Sequence, residues 1–281
     1  MPELPEVETL KLGLQKYLVG HKIEGIEVRV AKILQGDTKN VIGQKVTGIQ
    51  RVGKGLIIEL DGNYDLVVHL KMTGQMVYRD GSTANLTLSP KVGGNTLPSK
   101  YSHVIFTLDK GAKLYFNDLR RFGYIKVIKK EEVKNLSFFK EMGPEPFKDL
   151  TPQLFENLLK RSSVAIKVFL MDQKRIGGVG NIYANEALFM AGIDPRHPAD
   201  NLSKEKVQKL YESILEVLEK GLKYGGSSDE NFVNVLGQDG AYQQHFLAYG
   251  REKQKCSICG GTVHKIQLGG RGTYFCPNHQ R

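Results

Sequence analysis

No apolar run in this chain approaches the ~20 residues that a membrane-spanning helix requires. Its acidic opening, Met1-Pro-Glu-Leu-Pro-Glu-Val-Glu-Thr9, lacks the basic and apolar make-up of a signal peptide. A cytosolic protein without a membrane partner is therefore expected. No internal repeat is found, which sets aside the stacked-repeat architectures. Cysteine is scarce: Cys256, Cys259 and Cys276 are the whole supply, and all fall in the last 26 residues. An odd number gathered at one end argues for a metal site and against a disulfide framework. Acidic charge is short as well, 30 Asp and Glu against 40 Lys and Arg, for a formal net charge of +10. That excess points to a polyanionic partner. Nucleic acid fits best, because phosphate neutralisation by Lys and Arg supplies most non-specific affinity; an anionic membrane surface is the weaker alternative.

At 281 residues the chain has the length of about two domains. Val7, Leu10, Leu14 and Leu18 share one helical face, and Gly20 ends that helix. From Ile23 to Ile128 short alternating or apolar runs predict β structure, among them 45–50, 55–60, 66–70, 103–108 and 124–128. Turns at Asp61-Gly62 and Asp109-Lys-Gly111 separate them. A sandwich or flattened barrel follows. The stretch 81–100, rich in Gly, Ser, Thr, Asn and Pro, is expected to be a mobile loop. Charged and proline-rich residues 129–149 read as a linker. Thr151-Pro152 then starts a helical region with segments near 152–161, 164–173, 182–191 and 203–222. A polar stretch from Gly225 to Gly240 is a second loop candidate.

The opening residues carry possible chemistry. Removal of the initiator methionine would leave Pro2 as a secondary amine, of which on the order of a tenth is neutral at pH 7 if it titrates like a model α-amino group. Such an amine can attack an aldehydic carbon and form an iminium, the strategy of Schiff-base lysines. Glu3, Glu6 and Glu8 place carboxyl groups close by for proton transfer. The same residues also describe an ordinary helix start, with proline and acids in the first turn. At the other end, Cys256-x2-Cys259-x16-Cys276-x2-His279 is two ligand pairs separated by a hairpin's length, which suits one tetrahedral structural zinc. His264 is the competing fourth ligand, outside the paired spacing.

The opening, the cysteine pattern and three internal motifs together resemble the bacterial formamidopyrimidine-DNA glycosylases, in the same order and over nearly the whole chain. The internal motifs are Arg51-Val-Gly-Lys-Gly-Leu56, the pair His69-Leu-Lys-Met-Thr-Gly74 and Asp118-Leu-Arg-Arg-Phe-Gly123, and Gly177-Gly-Val-Gly-Asn-Ile-Tyr183. The resemblance implies an α+β, multidomain chain: an N-terminal catalytic β-sandwich led by a helix (1–130), a linker (131–150), a helix–two-turns–helix DNA-binding domain (151–248) and a C-terminal zinc-finger hairpin (249–281). It implies excision of oxidised purines from damaged double-stranded DNA by a monomer, with Pro2 as nucleophile at the interdomain cleft and strand cutting by β- and δ-elimination. Glu3 is then the general acid/base, and Lys54 and Arg271 act at the lesion phosphates.

By the same resemblance Met72, Arg120 and Phe122 fill the gap left by an everted nucleotide, which is what base flipping demands. Without it, Met72 and Phe122 read as core residues, Arg271 as a solvated arginine, Lys167 as a solvated helix lysine and Asn181 as a helix cap. With it, Lys167 lies at the damaged-base pocket and Asn181 holds a phosphate. This sequence departs from the family at four places. Ser162 stands where relatives often have a phosphate-binding lysine, leaving Arg161 as substitute. Tyr101 stands for a DNA-contacting histidine, Gly55 for an aromatic residue, and His279 for the usual fourth cysteine. The rival readings are an endonuclease VIII-like glycosylase for oxidised pyrimidines and a non-catalytic zinc-dependent DNA-binding protein.

Overall fold

Pro5, which has no N–H to leave unpaired, sits in the first turn of helix α1 (Leu4–Tyr17), and Glu3 and Glu6 form a capping box there. Val7, Leu10 and Leu14 are buried along one face of α1, as the 3.6-residue period requires. The computed structural model describes residues 1–281, which divide into two units: Met1–Lys140 with Leu222–Gln243, and Glu141–Gly221 with Gln244–Arg281.

The strands of the first unit are β1 (Ile23–Val28), β2 (Leu34–Gln35), β3 (Val46–Val52), β4 (Gly55–Leu60), β5 (Tyr64–His69), β6 (Gly74–Arg79), β7 (Ser102–Leu108), β8 (Lys113–Asp118) and β9 (Tyr124–Lys129). They form a four-stranded sheet of order β1-β7-β8-β6 and a five-stranded sheet of order β2-β9-β5-β4-β3. Alternation along the strands decides what faces what. Leu56, Ile58 and Leu60 of β4 enter a core shared with Val104, Phe106 and Leu108 of β7 and with the buried face of α1. Each such side chain contributes roughly 1.5–3 kcal/mol through burial. Ile57 points the other way, onto a patch made with Val67 and Val133. A one-residue slip of β4 would exchange these faces, so the pairing Leu56↔Val68 and Ile58↔Leu66 is held by burial.

Two parts of this unit differ from the sequence expectation. The stretch read as linker begins with short helices α2 (Lys130–Val133) and α3 (Ser137–Lys140); Val133 of α2, Leu136 between the two and Phe139 of α3 cover the outer face of the five-stranded sheet. The stretch 81–100, expected to be mobile, has a single 3-10 turn at Pro90–Val92 and buries Thr83, Leu88, Ser89, Val92 and Ser99. Residues 222–243 also pack in this unit: Val235 enters the core, and its carbonyl accepts from the Tyr78 N–H at 2.8 Å.

In the second unit, helix α4 (Pro152–Leu159) starts at Thr151, whose hydroxyl accepts from the Leu154 N–H at 3.2 Å, as the Thr-Pro signal predicts. It is followed by α5 (Ile166–Met171), α6 (Asn181–Ala191) and α7 (Lys204–Lys223). Val207, Leu210, Ile214, Val217 and Leu218 make the buried face of α7. Two C-terminal strands, β10 (His264–Leu268) and β11 (Arg271–Phe275), form an antiparallel hairpin turning at Gly269-Gly270. No helix is long and apolar enough to cross a membrane.

Candidate active site

Pro2, Glu3 and Glu6 are all buried at the head of α1. The Glu6 carboxylate accepts the Glu3 N–H at 2.7 Å, so the acids of the opening do build a helix start. Glu8 does something else. One of its oxygens accepts from Arg51 Nε at 2.7 Å and the other from Lys11 Nζ at 2.8 Å, and Arg51 Nη1 donates to the Gly53 carbonyl at 2.9 Å. Burial raises the Glu8 carboxyl, but the hydrogen bonds and charges of Lys11 and Arg51 outweigh it and hold the group below its ordinary range. This clamp ties the helix that begins beside Pro2 to the tight turn between β3 and β4. The turn needs Gly53 at φ +53° and carries Lys54, only 4% exposed. Gly55, the departure next to it, has a physical reason: a Cβ there would stand 2.8 Å from the Phe138 ring of α3, which occupies that space.

A second group lies on the loops after β5 and β8. Phe122 is 53% exposed and Arg120 is exposed, its guanidinium 4.8 Å from the Phe122 ring centroid; Met72 is half-buried. The core reading of Phe122 and Met72 therefore fails. Buried Asp118 anchors the presenting loop: its carboxylate accepts from the Thr73 hydroxyl, from Arg120 N at 3.1 Å and from Gly123 N at 2.7 Å. Lys71 (φ +53°) and Arg121 (φ +57°) immediately precede Met72 and Phe122. Non-glycine residues in this region cost roughly 1–2 kcal/mol each, and the loops hold two of them. Burial, with the charges of Lys71 and Lys54, pushes the neighbouring His69 imidazole down to about 3. His69 is thus neutral at neutral pH, with Nδ1 accepting from Lys71 N at 3.0 Å. Tyr101 is half-buried, its ring packed against Gly93 of the 81–100 stretch.

In the second unit Lys167 is 0% exposed, which overturns the solvated alternative. Its ammonium donates to the Gly272 carbonyl at 3.0 Å and to Thr273 Oγ1 at 2.6 Å, the two residues after Arg271. A buried lysine thus fixes the strand from which exposed Arg271 projects. Asn181 is not a cap. It is the first residue of α6, after Gly180 as N-cap, and it is half-buried. The glycines before it make a close approach, but to this chain's own residues: a Cβ on Gly177 would stand 3.0 Å from the Gly143 carbonyl oxygen. Arg161 is exposed, and Ser162 beside it is buried with its Oγ unpaired.

The sulfurs of Cys256, Cys259 and Cys276 lie within 4.8 Å of one another. Cys256 Sγ accepts the N–H groups of Ile258 and Cys259, and Cys276 Sγ those of Asn278 and His279, so two tight turns are already shaped to support thiolates. This arrangement fits one zinc ion. Neither histidine joins the group. His264 is exposed on β10, and His279 Nε2 lies 2.8 Å from the Phe189 carbonyl. Glu186, which the sequence reading passed over, supports the finger's root: its fully buried carboxylate accepts from the N–H groups of Leu247, Ala248 and Tyr249 at 2.6, 2.9 and 2.8 Å. Burial raises its pKa against those bonds. An acid on an otherwise apolar helix face was the available signal.

Three family descriptions match in order: "Formamidopyrimidine-DNA glycosylase N-terminal domain" over residues 1–125, "Formamidopyrimidine-DNA glycosylase H2TH domain" over 142–232, and "Zinc finger found in FPG and IleRS" over 253–278. A formamidopyrimidine-DNA glycosylase of Pelotomaculum thermopropionicum is 37% identical over 287 residues, covering 100% of this chain and 99% of the relative. One of Streptococcus mutans is 36% identical over 286 residues and 100% of both. Among solved structures, Lactococcus lactis Fpg in complex with abasic-site DNA superposes with a TM-score of 0.88 at 34% identity, over 99% of each chain. A MutM complex with carbocyclic 8-oxo-G DNA gives 0.87 at 35%, over 100% of each. With all three signatures in sequence order, full-length relatives and a matching fold, the chain belongs to the formamidopyrimidine-DNA glycosylase family.

Proposed function

We propose that this protein is a DNA glycosylase that excises oxidised purines from duplex DNA and, as an AP lyase, then cuts the strand at the abasic sugar. Relatives bound to abasic, Fapy-dG and 8-oxo-G DNA support the substrate class. With Met1 removed, the Pro2 nitrogen attacks C1′ of the everted nucleotide. The N-glycosidic bond breaks and the base leaves with a proton relayed from Glu3; the C1′–O4′ bond then opens, O4′ taking the proton that the Pro2 nitrogen gives up, and an iminium joins Pro2 to the opened sugar. The iminium acidifies C2′–H; its loss expels the 3′ phosphate, and a second elimination expels the 5′ phosphate. Lys54 and Arg271 neutralise those phosphates, with Tyr101, Arg161 and Asn181 on the flanking backbone. Lys167 acts through the Arg271 strand that it holds. Met72, Arg120 and Phe122 fill the vacated stack. A zinc ion held by Cys256, Cys259 and Cys276 would order the hairpin that carries Arg271. His279 lies apart from the three sulfurs; it would become the fourth ligand by closing on them with Nδ1, the ring nitrogen left free while Nε2 faces the Phe189 carbonyl.

The observation that carries this reading is the Glu8–Arg51–Gly53 clamp, which couples the helix headed by Pro2 and Glu3 to the Lys54 turn. Borohydride should trap a covalent complex between protein beginning at Pro2 and an 8-oxoguanine or abasic duplex. Equal trapping by protein that retains Met1, whose Pro2 nitrogen is an amide, would sink the mechanism. Preference for thymine glycol over 8-oxoguanine would move the protein to the pyrimidine-specific relatives.

A further inference from the structure

We propose that residues 86–92 and Gln75 form a brace that fixes the segment 226–239 beside the head of α1, which makes Gln75 and Lys91 positioning residues for base excision. The inference rests on the reading of Pro2 as nucleophile and extends it to a part of the chain that reading does not use.

The near end of the segment meets the opening through one carboxylate. Glu6 accepts from Glu3 N with one oxygen, at 2.7 Å, and from Ser227 N with the other, at 2.8 Å. Gly226 packs on the Glu6 side chain, where a Cβ would come within 3.0 Å of Cγ. The far end is held by the 81–100 stretch. The Gln75 amide, 3% exposed, donates to the Lys91 carbonyl at 3.0 Å and to the Asn231 carbonyl at 2.8 Å, gripping both segments with one group. Ser89 N donates to the Gly237 carbonyl at 2.8 Å, and Lys91 Nζ meets Asp239 Oδ2 at 2.7 Å. Leu88, Val92, Val77 and Val233 form an apolar cluster under these bonds.

Residues 226–239 contain no helix or strand, so partners outside the segment must offset the entropy of holding it in one conformation. An intact nucleotide has to be held by its base while the N-glycosidic bond breaks, so a loose wall beside Pro2 misplaces the reacting carbon. An abasic sugar has no base to hold; it needs the amine and the phosphate contacts of Lys54 and Arg271, none of which the brace bonds. The brace therefore acts on excision far more than on abasic cleavage.

The test uses Gln75→Met, which keeps the volume and removes both donations, and Lys91→Ala at the partly exposed rim, which folds regardless. Single-turnover excision on an 8-oxoguanine duplex, cleavage of a preformed abasic duplex and amide hydrogen exchange over 226–239 are measured for each. Gln75→Met should slow excision ~10-fold or more, keep abasic cleavage within ~2-fold and speed exchange in the segment; Lys91→Ala should move excision and exchange the same way by ~2-fold. Unchanged excision, equal loss of both reactions or unchanged exchange in either variant overturns the brace. Failure of the unmutated protein to trap abasic DNA overturns the proline reading instead, and the exchange arm still decides whether the brace exists.

Discussion

Three donors converge on Asp118, and together they explain how a loop with an exposed phenylalanine stays in one shape. Removing that acceptor should cost far more stability than removing what it presents. Asp118→Ala should lower unfolding free energy by about 3 kcal/mol, because buried donors lose their acceptor, whereas exposed Arg120→Ala should stay within about 0.5 kcal/mol while weakening duplex binding. Urea midpoints and fluorescence anisotropy on one duplex check both. His69 gives a prediction in pH. Its folded pKa is depressed to about 3 against an ordinary 6.5, so the unfolded chain takes the proton first. Its stabilising effect is complete above pH 6.5 and is lost as pH falls from there toward 3, by a few kcal/mol at most. Urea midpoints measured across that window should fall less for His69→Gln than for the parent. At this scale the sequence showed which residues to watch but not their burial. Lys167 could not be told from a solvated lysine, because its partners lie 105 and 106 residues away.

Secondary elements were more legible. The period of α1, the alternation of β4 and β7 and the Thr151-Pro152 start are local signals, and the structure has each of them. What escaped was the packing of polar, aperiodic chain. Residues 81–100 and 225–240 look alike in composition to any solvated loop, and they are ordered by each other. Phe138 was unreadable for the same reason: a lysine-rich stretch gives no hint that its ring stands over Gly55. Glu186 couples α6 to the chain entering the finger. Glu186→Gln would turn two donors toward a set of N–H groups that need an acceptor, and should cost about 3 kcal/mol. Faster zinc release into a chromogenic chelator and a lower melting temperature are the expected readouts; an unchanged release rate would show that the finger does not depend on α6.

For the molecule as a whole, a net charge of +10 sets the response to salt. The logarithm of duplex affinity should fall linearly with the logarithm of salt concentration, and Arg271→Ala should reduce that slope by about 1 if the arginine neutralises one phosphate. Metal content gives an independent check. One zinc per chain is expected, and chelation or Cys276→Ser should abolish duplex binding while the sandwich unit keeps its cooperative unfolding. Full binding by metal-free protein would remove the finger from the interface.

The Glu6–Ser227 bond spans 221 residues of sequence, and the sandwich core is incomplete without Val235. On a ribosome, then, the first residues stay accessible until most of the chain has been made. Methionine aminopeptidase meets a nascent tail, not the finished helix head in which Pro2 is buried. If Pro2 is the nucleophile, maturation is a race that synthesis order settles in the enzyme's favour. Protein refolded with Met1 in place should resist the same aminopeptidase that trims the unfolded chain, and mass spectrometry of the two digests would show it.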